Sequence, residues 1–328
     1  MLDGASRLRA LVPPMGFGAA QLGNLYFETS DEDARGAVDA AWSAGIRYYD
    51  TAPHYGLGLS ERRLGTLLAD RPREEVLVST KVGRVLVPSP DAIDRQDPEG
   101  FAVPAWATRV WDFSLDGIRR SIESSLERLG LDRIDIVYLH DPDEHWTEAS
   151  SSGLNTLVRL REEGVVGAVG VGMNQSGMPA RFVREHHVDL VMLAGRYTLI
   201  DQSALDDLLP AALERGVGIV AAGVYNSGLL STAHPTSGAT YDYRPPPPEL
   251  LDRAERLAAV CEHHGVDLPT AAIQFPLRHP AVVSVVVGAR TALQARTNAE
   301  RLATPVPDEL WAELAESGLV RVFDGADA

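Results

Sequence analysis

Lysine is almost missing from this chain. Of its 30 basic residues 29 are arginines, and the single lysine is Lys81. Arginine replaces lysine freely where only positive charge matters. It does not where a compact ammonium with a movable pKa is required, because the guanidinium stays charged and is flat and forked. Lys81 is therefore not an ordinary surface cation. Cysteine is as scarce: the lone Cys261 excludes an internal disulfide framework and any cysteine-based structural zinc site. It falls on an apolar helical stripe with Ala254 and Leu257, which reads as packed core rather than as a nucleophile. No apolar run approaches the length of a membrane span. Residues 1–14 lack the cationic and apolar blocks of a signal peptide, so a cytoplasmic location is expected. Basic charge is outnumbered, and a formal charge of -16 argues against nucleic-acid or anionic-membrane partners.

Apolar residues are plentiful, at 45%, and they recur as a repeated unit of strand followed by helix. Strands are predicted at 15–20, 46–50, 76–81, 134–140, 168–172, 188–194, 217–222 and 282–287. Ser30 with Asp33 reads as a cap for a helix through Ala34, Val38, Ala41 and Trp42, stopped by Gly45. Ser60 is expected to cap the next, through Leu64, Leu67 and Leu68. Ser114 opens an amphipathic helix with Leu115, Ile118, Ile122, Leu126 and Leu129 on one face and Gly130 at its end. Further helices are predicted at 153–163, 179–186, 204–215, 248–264, 270–279 and 291–302. Continuous apolar strands mean burial on both faces, hence parallel strands covered by helices. Eight such units predict an α/β fold, a single (β/α)8 TIM barrel over 1–328 rather than an open sheet. Two connections are long, 82–113 and 223–247, and both belong on the C-terminal rim. The first carries Trp106 and Trp111, read as a substrate wall, and the second ends in a proline run, read as a stiff spacer.

The chemistry gathers at strand ends. Asp50 ends the second strand, Lys81 the third and His140 the fourth, and a barrel sets those ends side by side around its mouth. A lone buried charge there would be expensive, so Asp50 and Lys81 are expected to pair. Tyr55, on the loop after Asp50, leans back over the same point. An ammonium beside a phenol favours phenolate, so the Tyr55 pKa is expected to fall towards the working range. His140 is placed to bond the phenol or a substrate oxygen and to help carry a proton. His54, His145, His186 and His187 show no metal-triad spacing and are read as ordinary histidines, with no metal site expected.

The set Asp50, Tyr55, Lys81 and His140 resembles the catalytic tetrad of the aldo-keto reductases, and 46–56, Ser60-Glu61, Ser79-Thr80-Lys81 and 169–174 resemble that family's pattern. The resemblance runs from about Met15 to Leu302. It implies NAD or NADP bound at the barrel mouth and hydride transfer between nicotinamide and a carbonyl or carbinol carbon of a small-molecule substrate. Tyr55 would give or take the proton, Lys81 held by Asp50 would tune it, and His140 would orient the substrate oxygen. By the same resemblance Gly18, Ala19 and Asp50 line the cofactor, and Met173 and Asn174 meet the carboxamide, where the common pattern is Ser-Asn. Ala222 stands where many relatives stack a tyrosine, a role for which Tyr225 is the substitute. Ser227, Gly228 and Leu229 resemble a pyrophosphate loop, and Gly288, Arg290, Gln294 and Asn298 the adenosine end. Arg290 reads either as a partner of a 2′-phosphate or as a helix-start arginine, and Gln294, where NADP-specific relatives often place arginine, favours NAD. The segments 171–174, His140-Asp141-Pro142 and Ala194-Gly195-Arg196-Tyr197 are similar to a bacterial branch of L-fucose, D-threo-aldose and pyridoxal dehydrogenases, which oxidise a cyclic hemiacetal to a lactone. Three other readings stay open: a general NADPH-dependent aldehyde or ketone reductase, a barrel aldolase with Lys81 as Schiff-base amine, and an NAD(P)-holding sensor with little turnover. The oligomeric state is not legible.

Overall fold

Eight parallel strands close into a barrel in the structure, a computed structural model that describes residues 11–242 and 244–322. In chain order the strands and main helices are β1 (Met15–Gly18), α1 (Asp31–Ser43), β2 (Tyr48–Asp50), α2 (Leu59–Leu68), β3 (Leu77–Val82), β4 (Arg84–Pro88), β5 (Ala107–Trp111), α3 (Leu115–Leu129) and β6 (Ile134–His140). They continue as α4 (Leu154–Glu162), β7 (Val166–Met173), α5 (Gly177–Glu185), β8 (Leu190–Ala194), α6 (Leu208–Arg215), β9 (Gly218–Ala222), α7 (Pro248–His263), α8 (Leu268–Gln274), β10 (Val282–Gly288), α9 (Ala292–Ala303) and α10 (Asp308–Glu316). The barrel runs β1-β10-β9-β8-β7-β6-β3-β2 and back to β1. Strand residues alternate between two cores. Tyr48, Tyr138, Met192, Val220 and Val286 belong to the smaller, inside the barrel. Tyr49, Val137, Leu139, Val191 and Ile219 belong to the larger, under the helices. Burial on both faces explains why the strands read as unbroken apolar runs.

The predicted caps hold at two helices and fail at one. Ser30 and Ser114 accept hydrogen bonds from Asp33 N and Gly117 N, and left-handed Gly130 closes α3. Ser60 does not cap α2, which begins at Leu59 with Gly58 at the cap. Its hydroxyl instead donates to the Ala19 carbonyl at 2.6 Å, fastening α2 to the end of β1. The connection 82–113 is not a plain loop, because β4 and β5 pair in an antiparallel hairpin. Its strands are half-exposed and separated by the excursion 89–106, so they carry neither a short turn signal nor a hydrophobic period. Past the last predicted helix lies α10, which buries Leu310, Trp311 and Leu314. Cys261 is fully buried, and burial pushes its thiol up to about 12. No helix among the described residues is long and apolar enough to cross a membrane.

Candidate active site

Register brings the polar strand ends to one level. Gly18 pairs with Asp50 and with Gly288, Asp50 with Ser79, and His140 with Gly172. Asp50 and His140 are the last residues of their strands, and Lys81 is next to last in β3, one residue short of the predicted end. Tyr55 sits on the loop between β2 and α2. That loop is pressed against the turn Ala20–Gly23 at two glycines: a Cβ on Gly56 would lie 2.2 Å from Gly23 O, and one on Gly23 would lie 2.6 Å from the Tyr55 carbonyl carbon.

All three protons of the Lys81 ammonium are used. Nζ donates to Asp50 Oδ2 at 2.7 Å, to Thr51 O at 2.9 Å and to Tyr55 OH at 3.0 Å. The Lys81 and Asp50 side chains are only 3% and 4% exposed, so this is a buried ion pair whose remaining valences are satisfied. Asp50 Oδ1 accepts from Ser79 Oγ at 2.6 Å, Ser79 meets Tyr48 OH at 3.1 Å, and Tyr48 meets Tyr138 OH at 3.4 Å. A polar ladder thus descends from Tyr55 into the barrel interior. Burial pulls the Lys81 pKa down, but Asp50 and Tyr55 together hold it above the ordinary lysine range. Tyr55 departs from the sequence expectation. Burial raises its phenol to about 12, and the opposing pull of Lys81, though present, is the smaller effect.

His140 stands edge-on to Tyr55, with ring centroids 5.9 Å apart at 90°. Burial, and then the charges of Arg84 and Lys81, hold its pKa well below the usual histidine range, so the imidazole is neutral. His54, read from sequence as an ordinary histidine, is in the same place: its ring lies 5.4 Å from His140, 6.0 Å from Tyr55 and 5.2 Å from Phe101. Burial, with Arg84 and Arg109 adding to it, lowers its pKa to about 2. The hairpin supplies both arginines. Arg84 donates to Asp141 Oδ2 at 2.8 Å and approaches His54 Nδ1 at 3.4 Å, while Arg109 pairs with buried Asp97 and donates to His54 O. His54, Arg84, Phe101 and Asp141 are thus site residues that the sequence reading missed; the available signal was that His54 adjoins Tyr55 and Asp141 adjoins His140.

The remaining predicted residues fall around the rim. Ala19 N donates to Asp50 O at 2.8 Å, Met173 is buried at the end of β7, and Asn174 is exposed just beyond it. Asn226, Ser227 and Gly228 all have positive φ, with Leu229 buried behind them. Tyr225, foreseen as the substitute stacking residue, is tied to α9: its hydroxyl donates to Asn298 Oδ1 at 3.0 Å and receives Arg301. Asn298 in turn donates to Gly288 O. Arg290 is engaged within the protein. Its guanidinium donates to Leu25 O at 2.7 Å, Phe27 O at 3.0 Å and Thr29 Oγ1, and lies 3.8 Å over the Phe27 ring, clipping residues 25–29 to the end of β10. Gln294 Oε1 accepts from Arg290 N at 2.7 Å. Trp106 packs on the small cluster of Leu57, Phe101, Val103 and Ala107 that also touches Tyr55. Trp111, 40% exposed, stacks on Phe113 and packs at a tilt against His145, under Arg84. The proline run is largely exposed, but the preceding loop is anchored by a 2.8 Å pair between Arg196 and Asp242.

The donor set at this rim fits an extended polar cofactor. Strands β1, β9 and β10 end in Gly18, Ala222 and Gly288, so no large side chain stands at those three strand ends. Buried Gln21 Oε1, against Gly288, and Asn226 Oδ1, beside Gly195, have no hydrogen-bond partner among the described residues. Metal-ligating side chains converge elsewhere among the described residues, in the trio His263, His264 and Glu313 between the end of α7 and α10.

Comparison with known proteins gives the same direction. The model of the aldo/keto reductase family matches residues 14–318. A D-threo-aldose 1-dehydrogenase of a Pseudomonas species is 52% identical over 316 residues, 94% of this chain and 95% of that protein. A pyridoxal 4-dehydrogenase of Microbacterium luteolum is 37% identical, over 96% of this chain and 98% of that one. Among solved structures, a holo-form aldo-keto reductase of Bacillus halodurans superposes with a TM-score of 0.74 at 24% identity, covering 97% and 96% of the two chains, a likeness of fold.

Proposed function

The chain belongs to the aldo/keto reductase family and is an NAD(P)-dependent oxidoreductase, and from that premise we propose that it oxidises the anomeric carbinol of an aldose to the lactone. The observation that carries the chemistry is the Lys81 ammonium held between Asp50 Oδ2 and Tyr55 OH. Tyr55, as phenolate, takes the proton of the anomeric hydroxyl. Lys81 is the cation that makes a phenolate tolerable in a buried site, and Asp50, braced by Ser79, fixes Lys81 in place. Neutral His140 orients the substrate oxygen with an N–H. NAD(P), when bound, would supply the acceptor for the hydride of the carbinol carbon. Gly18, Ala19, Met173, Asn174, the 227–229 turn, Gly288 and Asn298 hold it along the rim, with the free oxygens of Gln21 and Asn226 as further polar contacts.

The substrate class is supported by the 52% identity to a D-threo-aldose 1-dehydrogenase and by a mouth lined with Arg84, His54 and Asp141, groups suited to sugar hydroxyls. Pyridoxal, which also forms a cyclic hemiacetal, is the second reading, favoured by the 37% identity to a pyridoxal 4-dehydrogenase. NAD is the proposed cofactor: Arg290 is committed to residues 25–29, and neutral Gln294 offers no charge to a 2′-phosphate. The test follows reduced nicotinamide during incubation of the enzyme and either NAD or NADP with L-fucose, L-galactose, D-arabinose or pyridoxal. Aldose-dependent reduction of NAD is expected. Turnover confined to simple aldehydes with NADPH, borohydride trapping of substrate on Lys81 without nicotinamide, or cofactor binding with no turnover would each overturn it.

A further inference from the structure

The residue after His140 keeps a conformation that non-glycine residues seldom adopt. Asp141 has φ 43, with its N–H tied to Gly172 O at 2.9 Å. The left-handed turn folds its carboxylate back towards the strand it has just left. Oδ2 lies 3.6 Å from His140 Nε2 and accepts from Arg84 Nη2 at 2.8 Å. Strain of this kind persists only where surrounding contacts enforce it, and it marks a position worth testing for function. An aspartate needed only to anchor the hairpin through Arg84 has no reason to point at its own neighbour.

We propose that Asp141 is a positioning residue for His140: its carboxylate keeps the single proton of the imidazole on Nε2, the nitrogen that lies beside it. A neutral histidine carries one N–H, and its neighbours decide which nitrogen bears it. At 3.6 Å the contact is long for a hydrogen bond, yet at that range a carboxylate attracts an N–H and repels a lone pair. Nε2 is thereby a donor, ready for a substrate oxygen. Arg84 completes the arrangement from the hairpin. Burial favours the neutral carboxyl of Asp141, Arg84 opposes this, and a carboxyl that took up a proton would itself donate to Nε2 and reverse the tautomer. The other charged or titratable groups at this point are His54, Tyr55, Lys81, Arg109 and Asp143.

The inference rests on the proposed role of His140, and the experiment separates the two. Full-length enzyme labelled with 15N is examined by two-bond proton-nitrogen correlation of its histidine rings, beside kcat, KM and cofactor Kd. Wild type is expected to show His140 as the Nε2–H tautomer. Asp141→Asn, whose amide offers an N–H towards Nε2, should move the proton to Nδ1 and lower kcat by about 100-fold, with KM and cofactor Kd within about threefold. Asp141→Glu should recover at least about tenfold of that loss, which a purely structural role would not predict. An unchanged His140 tautomer in Asp141→Asn, or a wild-type kcat, overturns the proposal. Should Asp141→Asn fail to fold, Arg84→Gln carries the same decision: a shifted tautomer supports it and an unshifted one overturns it. His140→Gln with wild-type turnover would instead remove the role of His140 itself.

Discussion

Lys81 is the residue on which the proposed chemistry turns, and its scarcity has a geometric counterpart. Three acceptors converge on one ammonium, at 2.7, 2.9 and 3.0 Å. A flat guanidinium cannot meet three acceptors around a point, so Lys81→Arg is expected to lower kcat by about 1000-fold or more, measured as NAD reduction. Lys81→Met would leave Asp50 buried without its cation, and a loss of about 3–5 kcal/mol in urea unfolding is expected. For Tyr55 the proposed proton role predicts that Tyr55→Phe abolishes turnover while cofactor still binds, checked by quenching of tryptophan fluorescence. The pH dependence follows from the direction of the shift. Oxidation needs the phenolate, and burial raises the phenol to about 12. The competent fraction of free enzyme therefore grows about tenfold per pH unit through the neutral and moderately alkaline range. Accordingly kcat/KM for oxidation should climb without a plateau up to about pH 10. A plateau near neutrality would assign the titration to another group.

Among the elements, the β4–β5 hairpin has most bearing on the site and is the least legible in sequence. It brings Arg84 to Asp141 and His54, and Arg109 to Asp97 and the His54 carbonyl. Asp97 has a side chain 0% exposed. Arg109→Ala would leave that carboxylate buried and unpaired, at a cost of about 3–5 kcal/mol. The hairpin is not part of the barrel ladder, so the loss should be local: hydrogen exchange should accelerate across 84–111 while β6 to β9 keep their protection. Uniform acceleration would show that the hairpin and barrel unfold together. Why α3 was readable and the hairpin was not is a matter of where each is stabilised. Ser114, the apolar stripe from Ile118 to Leu129 and Gly130 lie within one short segment, and that is local information; Leu115, read on the same face, is exposed in the first turn. The hairpin is held by ion pairs and aromatic contacts with residues far along the chain, which leave no period. Arg290 shows the same limit. Sequence offered a phosphate partner or a helix-start arginine, and the structure uses it to clip residues 25–29, some 260 positions away.

At the scale of the whole molecule the barrel was legible because closure makes eight strands apolar on both faces, and because closure alone decides which strand ends are neighbours. It set Asp50, Lys81 and His140 around one mouth; what it could not convey was how dry that mouth is, and so the direction of the Tyr55 shift and the site position of His54 were misread. Dryness also has a consequence for stability. His54 and His140 are folded in as neutral imidazoles, the first with its pKa lowered to about 2 and the second well below the ordinary 6.5. Below pH 6.5 the unfolded chain binds protons at these two positions that the folded chain refuses. Stability therefore falls as pH drops from about 6.5, by up to about 1.4 kcal/mol per pH unit for each histidine. His54→Asn removes one of the two titrations while keeping a polar side chain of similar size. The urea midpoint of wild type should fall more between pH 7 and about 5.5 than that of His54→Asn, at equal m-values. Equal falls would mean that His54 takes up its proton in the folded barrel, and that the space beside His140 and Arg84 is wetter than the structure makes it.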